Sequence, residues 1–294
     1  MIDIRYHVYS LVAVFLALAV GIVIGTSFAQ NSPLQKTSRR TIARYEDDMR
    51  ELKNKIVEAS EDATRKDALA KSCQDYCRAM MPAVVKGKLA GRNVAIIRTG
   101  DYDEIEGPVK QVLVYAGARV SSVTTISREF PFDDGRRIAS VLATGGITVA
   151  DGVQARDKLF AILAQALVYA SYSQLTPKLE EGGVAQFSGD YLRANKLVIL
   201  IGGASRDEGM SAETIDSRLV DGLQKLGATV VGCEGTDAAA SYVPTWRKKG
   251  IATVDNVETA MGQVALVFAL NGENASFGSK DTADRLIPQS VEIK

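Results

Sequence analysis

The chain has 294 residues, with 35 Lys and Arg against 35 Asp and Glu, so its formal net charge is zero. This balance argues against a nucleic-acid binder, because such proteins carry an excess of basic residues. A charged fraction of 24% and an apolar fraction of 46% exclude a wholly disordered chain. Since His7 is the single histidine, neither a Ser-His-Asp triad nor a histidine-rich zinc site is expected.

The N-terminal segment has the length and composition of a membrane helix. Residues 8–29 carry no charged side chain and would span about 33 Å as a helix, enough for a hydrocarbon core of about 30 Å. Tyr6 and Tyr9 stand where an interfacial aromatic belt is expected. A cleaved signal peptide is the alternative, with Ser27-Phe28-Ala29 as the cleavage site, but the apolar run exceeds the usual signal length. We therefore expect an uncleaved transmembrane anchor over residues 1–30 that places the chain in a lipid bilayer.

Small residues recur at every fourth position of this anchor. Ala13, Ala17, Gly21 and Gly25 form a stripe that continues to Ala29 and includes a Gly-x-x-x-Gly motif. Such a stripe lets two membrane helices approach closely, which makes it a candidate dimer face. The alternative is that glycine and alanine are simply common in membrane helices.

Residues 36–86 have the pattern of a coiled-coil stalk. Apolar residues alternate at spacings of three and four, and only Lys66 interrupts this seam, which predicts a parallel homodimer. The competing interpretation is that the seam packs against the chain's own downstream domain. Pro82 is expected to end the continuous helix. The predicted seam consists of Ile42, Tyr45, Met49, Leu52, Ile56, Ala59, Ala63, Lys66, Ala70, Cys73, Cys77, Met80 and Val84.

Four sulfur-containing residues cluster near the end of this stalk. Cys73, Cys77, Met80 and Met81 lie close to one helical face by their spacing. Thiolates and thioethers are soft ligands that select Cu(I), so this cluster is the candidate metal site. The alternatives are ordinary seam packing, for which Cys and Met are well suited, and an interchain disulfide in an oxidising compartment.

From residue 88 onwards, short β-branched runs alternate with helical stretches. This alternation predicts an α/β head domain over residues 88–294, with a mainly parallel sheet and helices on both faces. Residues 127–146 are less regular and are expected to form a connector. The predicted strands are 92–99, 118–125, 195–201, 228–233 and 251–254, and the predicted helices are 105–115, 151–171, 211–226, 238–249 and 258–270.

Two parts of the head have similar sequence patterns. Both run from a strand through a helix to a Gly-Ala-x-Val strand, at residues 117–120 and 227–230, which suggests two βαβ-like halves. Ligands of such folds bind at the carboxyl ends of the strands, here residues 99–101 and 202–205. Neither loop has a Gly-x-Gly-x-x-Gly or P-loop pattern, and no nucleophile–base pair is visible. We therefore expect no enzyme activity and no organic cofactor.

Two terminal segments carry a recognisable family pattern. Residues 1–28, and residues 254–289 with Phe277-Gly278-Ser279-Lys280 and Leu286-Ile287-Pro288, resemble the bacterial copper transporter MctB family over essentially the whole chain. The resemblance implies a membrane-anchored envelope protein in copper transport, efflux and homeostasis. An envelope scaffold or regulator that binds a protein partner through its coiled coil and head is the alternative function.

The charges around the anchor leave its orientation open. Lys36, Arg39, Arg40 and Arg44 follow the apolar helix, whereas Arg5 precedes it. The positive-inside rule would place the stalk in the cytoplasm, although large domains cross membranes largely regardless of charge. The family resemblance implies an extracytoplasmic head, and this is the orientation we expect for a single-pass protein.

Overall fold

A computed structural model describes residues 4–30, 33–149, 152–206 and 212–291 of the chain. The chain divides into two compact units, residues 1–71 and residues 72–294. The first begins with helix α1 (Ile4–Gln30), in which the apolar stretch Arg5–Phe28 has 24 residues. Such a stretch covers about 36 Å. Among the described residues, α1 is the one helix long and apolar enough to cross a membrane.

Helix α2 (Pro33–Val85) contains 53 residues and includes Pro82. Our prediction that the helix ends at Pro82 is wrong by one turn. Proline removes one backbone donor and crowds the preceding turn, but Met81 and Val85 on either side of it are only 5% and 0% exposed. Because both side chains are buried in the core of the second unit, their packing holds the last turn in place.

The second unit contains a seven-stranded sheet in the order β3-β2-β1-β4-β5-β6-β7. All neighbouring strands are parallel except β2 and β3, which are antiparallel. The sheet is thus mixed and mostly parallel, with its direction of winding reversed between β1 and β4. The strands are β1 (Asn93–Arg98), β2 (Arg119–Ile126), β3 (Ala185–Gly189), β4 (Leu197–Ile201), β5 (Thr229–Cys233), β6 (Ala252–Val254) and β7 (Ser276–Phe277).

Helices cover both faces of the sheet, which is why its central strands read as continuous apolar runs. In β1, Ala95 and Ile97 pack into one core, whereas Val94 and Ile96 pack into the other. Helices α4, α5, α7 and α8 line the first core, and α3, α9 and the end of α2 line the second. The helices are α3 (Glu106–Tyr115), α4 (Gly135–Thr144), α5 (Gly152–Tyr169), α6 (Thr176–Glu181), α7 (Asp216–Lys225), α8 (Val243–Lys248) and α9 (Ala260–Leu270).

The region expected to be a connector contains helix α4. The Asp134 carboxylate caps this helix by accepting hydrogen bonds from the backbone N–H groups of Arg136 and Arg137 at 2.9 and 3.1 Å. Ile138 and Leu142 are buried one turn apart. The N-cap and the four-residue apolar spacing were readable in the sequence and together identify a helix.

Two other predicted helices are shorter than expected. Helix α8 begins at Val243 rather than near residue 238, because Ala240 pairs with Ala204 through two backbone hydrogen bonds of 2.9 and 3.0 Å. Helix α7 begins at Asp216, and the predicted start at residue 211 lies outside the described residues. Strand β3 and helix α6 were not predicted. The antiparallel edge strand is short, with only Ala185 buried, so it lacks a strong apolar signal.

Candidate functional site

The predicted seam of α2 is exposed along its N-terminal half. Ile42, Met49 and Ile56 are 55%, 66% and 68% exposed in the single chain. A large apolar side chain gains about 1.5–3 kcal/mol when it is fully buried. A row of such residues left in water is typical of an interaction surface rather than of a solvated helix face.

The four sulfur-containing residues near the C-terminal end of α2 lie on two different faces. Cys73 is exposed, Met80 is 46% exposed, and Cys77 is partly covered. Met81 belongs to the buried core together with Val85. Because successive helical residues are about 100° apart, Met80 and Met81 point in different directions. The structure therefore leaves Cys73, Cys77 and Met80 accessible and separates Met81 from them.

Cys73 and Cys77 are free thiols one helical turn apart. No group of three or more His, Cys, Asp or Glu side chains within the described residues is placed to hold a metal ion. A soft-metal site at these cysteines therefore needs Met80, a second chain, or both. Cys233, by contrast, ends β5 and is fully buried. Burial, and after it the nearby Glu234 charge, raises the pKa of its thiol.

The small-residue stripe of α1 faces open space in the single chain. Ala13 and Ala17 are exposed, and a Cβ built on Gly21 or Gly25 would meet no atom within 4 Å. The stripe therefore has room for a second helix and remains a predicted dimer face.

The carboxyl ends of β1 and β4 lie side by side at the point where the winding of the sheet reverses. In doubly wound folds this point is the usual ligand crevice. Here a Cβ at Gly100 would overlap the backbone of Gly202 and Gly203, so the two loops are in direct contact. The Asp101 carboxylate accepts hydrogen bonds from the Ser205 backbone N–H at 3.0 Å and its hydroxyl at 2.6 Å. These contacts join the two loops directly.

The Asp101 carboxylate also forms an ion pair with Arg128, at 3.0 Å. Burial alone would raise the pKa of Asp101, but the hydrogen bonds from Ser205 and the Arg128 charge together hold it below the usual value. The carboxylate is thus already engaged by internal partners in the strand-end region.

A second carboxylate, Glu234, follows β5 and is fully buried. Its Oε1 atom accepts hydrogen bonds from Lys280 Nζ at 2.8 Å and Ser241 Oγ at 2.7 Å. Its Oε2 atom accepts one from the Tyr242 backbone N–H at 2.8 Å. A buried charge is tolerated when it is paired and hydrogen-bonded in this way. Lys280 therefore connects the C-terminal tail to the buried residue that follows β5.

The same tail segment closes over Asp255, which follows β6. The Asp255 carboxylate accepts the backbone N–H groups of Ser279 and Lys280 at 2.8 and 3.1 Å. Gly278 has φ +149°, and a Cβ there would overlap the Asp255 carboxylate. The Gly278-Ser279-Lys280 segment thus forms a structural clasp. The sequence identified its motif but not its partners, which lie 24–46 residues away.

A third buried carboxylate, Asp216, stands at the start of α7. Its Oδ2 atom accepts the Trp246 indole N–H at 2.8 Å, whereas its Oδ1 atom has no hydrogen-bond partner in the described part of the chain. Burial raises the pKa of Asp216 to about 7, although the nearby Thr99 hydroxyl and the Trp246 indole N–H oppose this rise. Nothing in the sequence singles out Asp216, since an Asp at a helix start is ordinarily exposed.

Together these features define an α/β protein preceded by a long helix and by a helix of membrane-spanning length. Residues 1–288 match the family model described as "Copper transport outer membrane protein, MctB", so the chain belongs to this family and the predicted resemblance is confirmed. The proteins named Copper transporter MctB in Mycobacterium tuberculosis strain H37Rv and Mycobacterium bovis are each 26% identical over 301 residues. The protein of that name in Mycobacterium leprae is 24% identical over 303 residues. Each match covers 92% of both chains.

The clasp predicts that Gly278→Ala destabilises the α/β unit. A Cβ at this position has to displace the Asp255 carboxylate as well as tolerate a positive φ, so the expected loss is about 1–3 kcal/mol beyond that of a control. Gly272→Ala is the control, because Gly272 has φ +108° but open space around its Cβ position. Denaturant unfolding of the full chain is followed by the fluorescence of Trp246, its single, fully buried tryptophan. Equal losses in the two variants would contradict the clasp.

The raised pKa of Asp216 predicts that the free energy of unfolding depends on pH. The folded protein holds the proton up to about pH 7, whereas the unfolded chain releases it near pH 4, so stability falls as the pH rises between these values. Asp216→Asn keeps an oxygen acceptor for Trp246 and does not titrate. We expect its stability to match that of the native protein at pH 4 and to exceed it by about 4 kcal/mol at pH 8. Urea unfolding at both pH values measures this, and a pH-independent difference would contradict it.

Proposed function

We propose that the protein is a membrane-anchored cell-envelope protein that takes part in copper transport and copper homeostasis. The observation that carries this proposal is the family match over residues 1–288. Relatives named Copper transporter MctB, which match 92% of the chain, support it. The exposed thiols and thioether of α2 support it, because sulfur ligands favour Cu(I) over harder ions.

In this proposal α1 is an uncleaved anchor in the bilayer, α2 is a coiled-coil stalk, and the α/β unit is an extracytoplasmic head. The length of Arg5–Phe28 supports the anchor. We interpret β1–α3–β2 and β4–α7–β5 as two related βαβ units within the head. One spanning helix cannot enclose a pore by itself, so the protein would bind copper beside, or as part of, a larger export assembly.

The stalk is proposed to pair with a second copy in parallel. The exposed seam from Ile42 to Ile56 supplies the apolar face. Asp48 and Lys53 flank that seam at positions that meet across a parallel pair, where opposite charges attract. The small-residue stripe of α1 would continue the same parallel contact within the membrane.

We propose Cys73, Cys77 and Met80 as the copper ligands of the stalk. The burial of Met81 in the core of the head supports its exclusion from this set. Copper is the transported species in this proposal, and reduced thiols would hold it as Cu(I). No organic cofactor and no catalytic residue is part of the proposed function.

This proposal predicts that the full chain in detergent binds Cu(I) under anaerobic conditions in competition with a chelator. The Cys73→Ser/Cys77→Ser double variant is expected to lose binding, and Met80→Leu to weaken it by about tenfold or more, which is about 1.4 kcal/mol. Met81→Leu is the matched control, because it makes the same chemical change at the next residue and should leave the affinity unchanged. Equal affinities for the native protein and the double variant would contradict the stalk site.

The second candidate function is an envelope scaffold that binds a protein partner through the stalk and head. The exposed apolar seam favours it, since the same surface that pairs two copies can bind another helix. A stable complex with an envelope protein that survives the Cys73→Ser/Cys77→Ser change, combined with equal Cu(I) affinities, would support this function over copper binding.

A further inference from the structure

A row of three polar residues crosses the sheet from β1 to β3. Arg98 lies beside Thr125 where β1 pairs with β2, and Thr125 lies beside Gln186 where β2 pairs with β3. Residues in register on adjacent strands share a face of the sheet, and adjacent strands are about 4.8 Å apart. The guanidinium, hydroxyl and carboxamide groups of this polar row therefore follow one another over about 10 Å of one face.

The polar row borders an open cavity of about 640 Å³ near the carboxyl ends of β1 and β2. The lining comes from β1, β2, β3 and the segments that adjoin them, so the cavity lies on the opposite side of β1 from β4. Its volume is within the range of small-molecule sites, about 300–1,000 Å³. The carboxyl ends of the strands are also the side on which doubly wound folds bind ligands.

Arg98 has donors left for a ligand in this cavity, although its side chain is only 20% exposed. Among the described residues, its guanidinium donates one hydrogen bond of 3.4 Å to Thr125 Oγ1 and forms one ion pair of 3.9 Å with Glu106. Both distances exceed the usual 2.7–3.2 Å of an N–H···O bond, and Glu106 is closer to Lys110, at 2.6 Å. Since a guanidinium has five N–H donors in a fork that fits a carboxylate, Arg98 is placed to bind one.

The other charges of the cavity favour a ligand that is positive elsewhere. Asp101 is matched by Arg128, at 3.0 Å. Three further carboxylates line the cavity, are exposed, and form no ion pair within the described part of the chain: Asp103, Glu129 and Glu180. These three charges would repel a purely anionic ligand and attract an ammonium group.

We propose that this cavity binds a short peptide with free termini, about two residues long, as a zwitterion. Its carboxylate lies on Arg98 and Thr125, and its ammonium group faces the exposed carboxylates of the rim. The Gln186 carboxamide both donates and accepts hydrogen bonds, as a peptide group does. A polar row of about 10 Å fits an extended dipeptide, which spans about 7 Å. This site lies within the α/β unit and does not depend on the copper ligands proposed for α2.

Calorimetric titration of the full chain in detergent with alanyl-alanine tests the proposal. The two matched probes are N-acetyl-alanyl-alanine, which lacks the ammonium group, and alanyl-alanine amide, which lacks the carboxylate. We expect saturable binding of alanyl-alanine and at least tenfold weaker binding of both derivatives. Absence of binding at millimolar alanyl-alanine would overturn the site, and equal affinity for the acetylated probe would overturn the zwitterion.

Variants of the polar row locate the binding. Arg98→Gln is expected to weaken alanyl-alanine binding at least tenfold, and Thr125→Val, which keeps the shape of the side chain, to weaken it severalfold. Arg119→Gln is the matched control, because Arg119 is exposed at the opposite end of β2 and should leave the affinity unchanged. Thermal unfolding shows whether each variant is folded, and Thr125→Val decides the result if Arg98→Gln is not. Native affinity in the folded variants of the row would overturn the assignment.

The rim is tested by the Glu129→Gln/Glu180→Gln double variant. Both side chains are exposed, so the change removes charge without opening the core. We expect it to reduce the preference for alanyl-alanine over the acetylated probe severalfold. An unchanged preference would overturn the placement of the ammonium group.

Discussion

The organisation of the last turns of α2 depends on the burial of one side of the helix in the core of the second unit. Met81 and Val85 are buried in that core, so one side of this part of α2 is not available to another chain. In our proposal, the exposed side of α2 is the one that pairs with another chain. The same constraint sorts the sulfur-containing residues: Met81 becomes core, Cys77 is partly covered, and Cys73 and Met80 stay accessible.

At the carboxyl ends of β1 and β4, where doubly wound folds usually bind ligands, the described loops of the head contact each other directly. Asp101 is held there by Ser205 and Arg128. The tail clasp ties Lys280 to the buried Glu234 and the segment's backbone to Asp255. Removing one partner of such a buried pair costs about 3–5 kcal/mol. The tail motif that carries the family resemblance therefore has a structural role in this chain, and our proposal places copper binding on α2.

The sequence predicted the membrane-length helix, the long α2 and a mostly parallel sheet, because apolar length and periodicity are local signals. The repeated Gly-Ala-x-Val pattern also has a local cause: Gly117 and Gly227 both end helices with positive φ, as Gly183 and Gly250 do. The edge strand β3 and the partners of Glu234, Lys280 and Asp216 were not predictable, since long-range packing determines them. Likewise, the sequence alone could not show that Met81 is buried while Met80 is exposed, because the packing of the α/β unit against Met81 determines this difference.

The central claim is that the exposed seam of α2 holds two chains together. The most direct test is the mass of the full chain in lipid nanodiscs, compared between Ile56→Asp and Val57→Asp, which place the same charge on and beside the seam. Both native side chains are exposed in the single chain, at 68% and 49%. We predict two chains per disc for the native protein and for Val57→Asp, and one for Ile56→Asp. One chain per disc for the native protein, or two for Ile56→Asp, would contradict the claim.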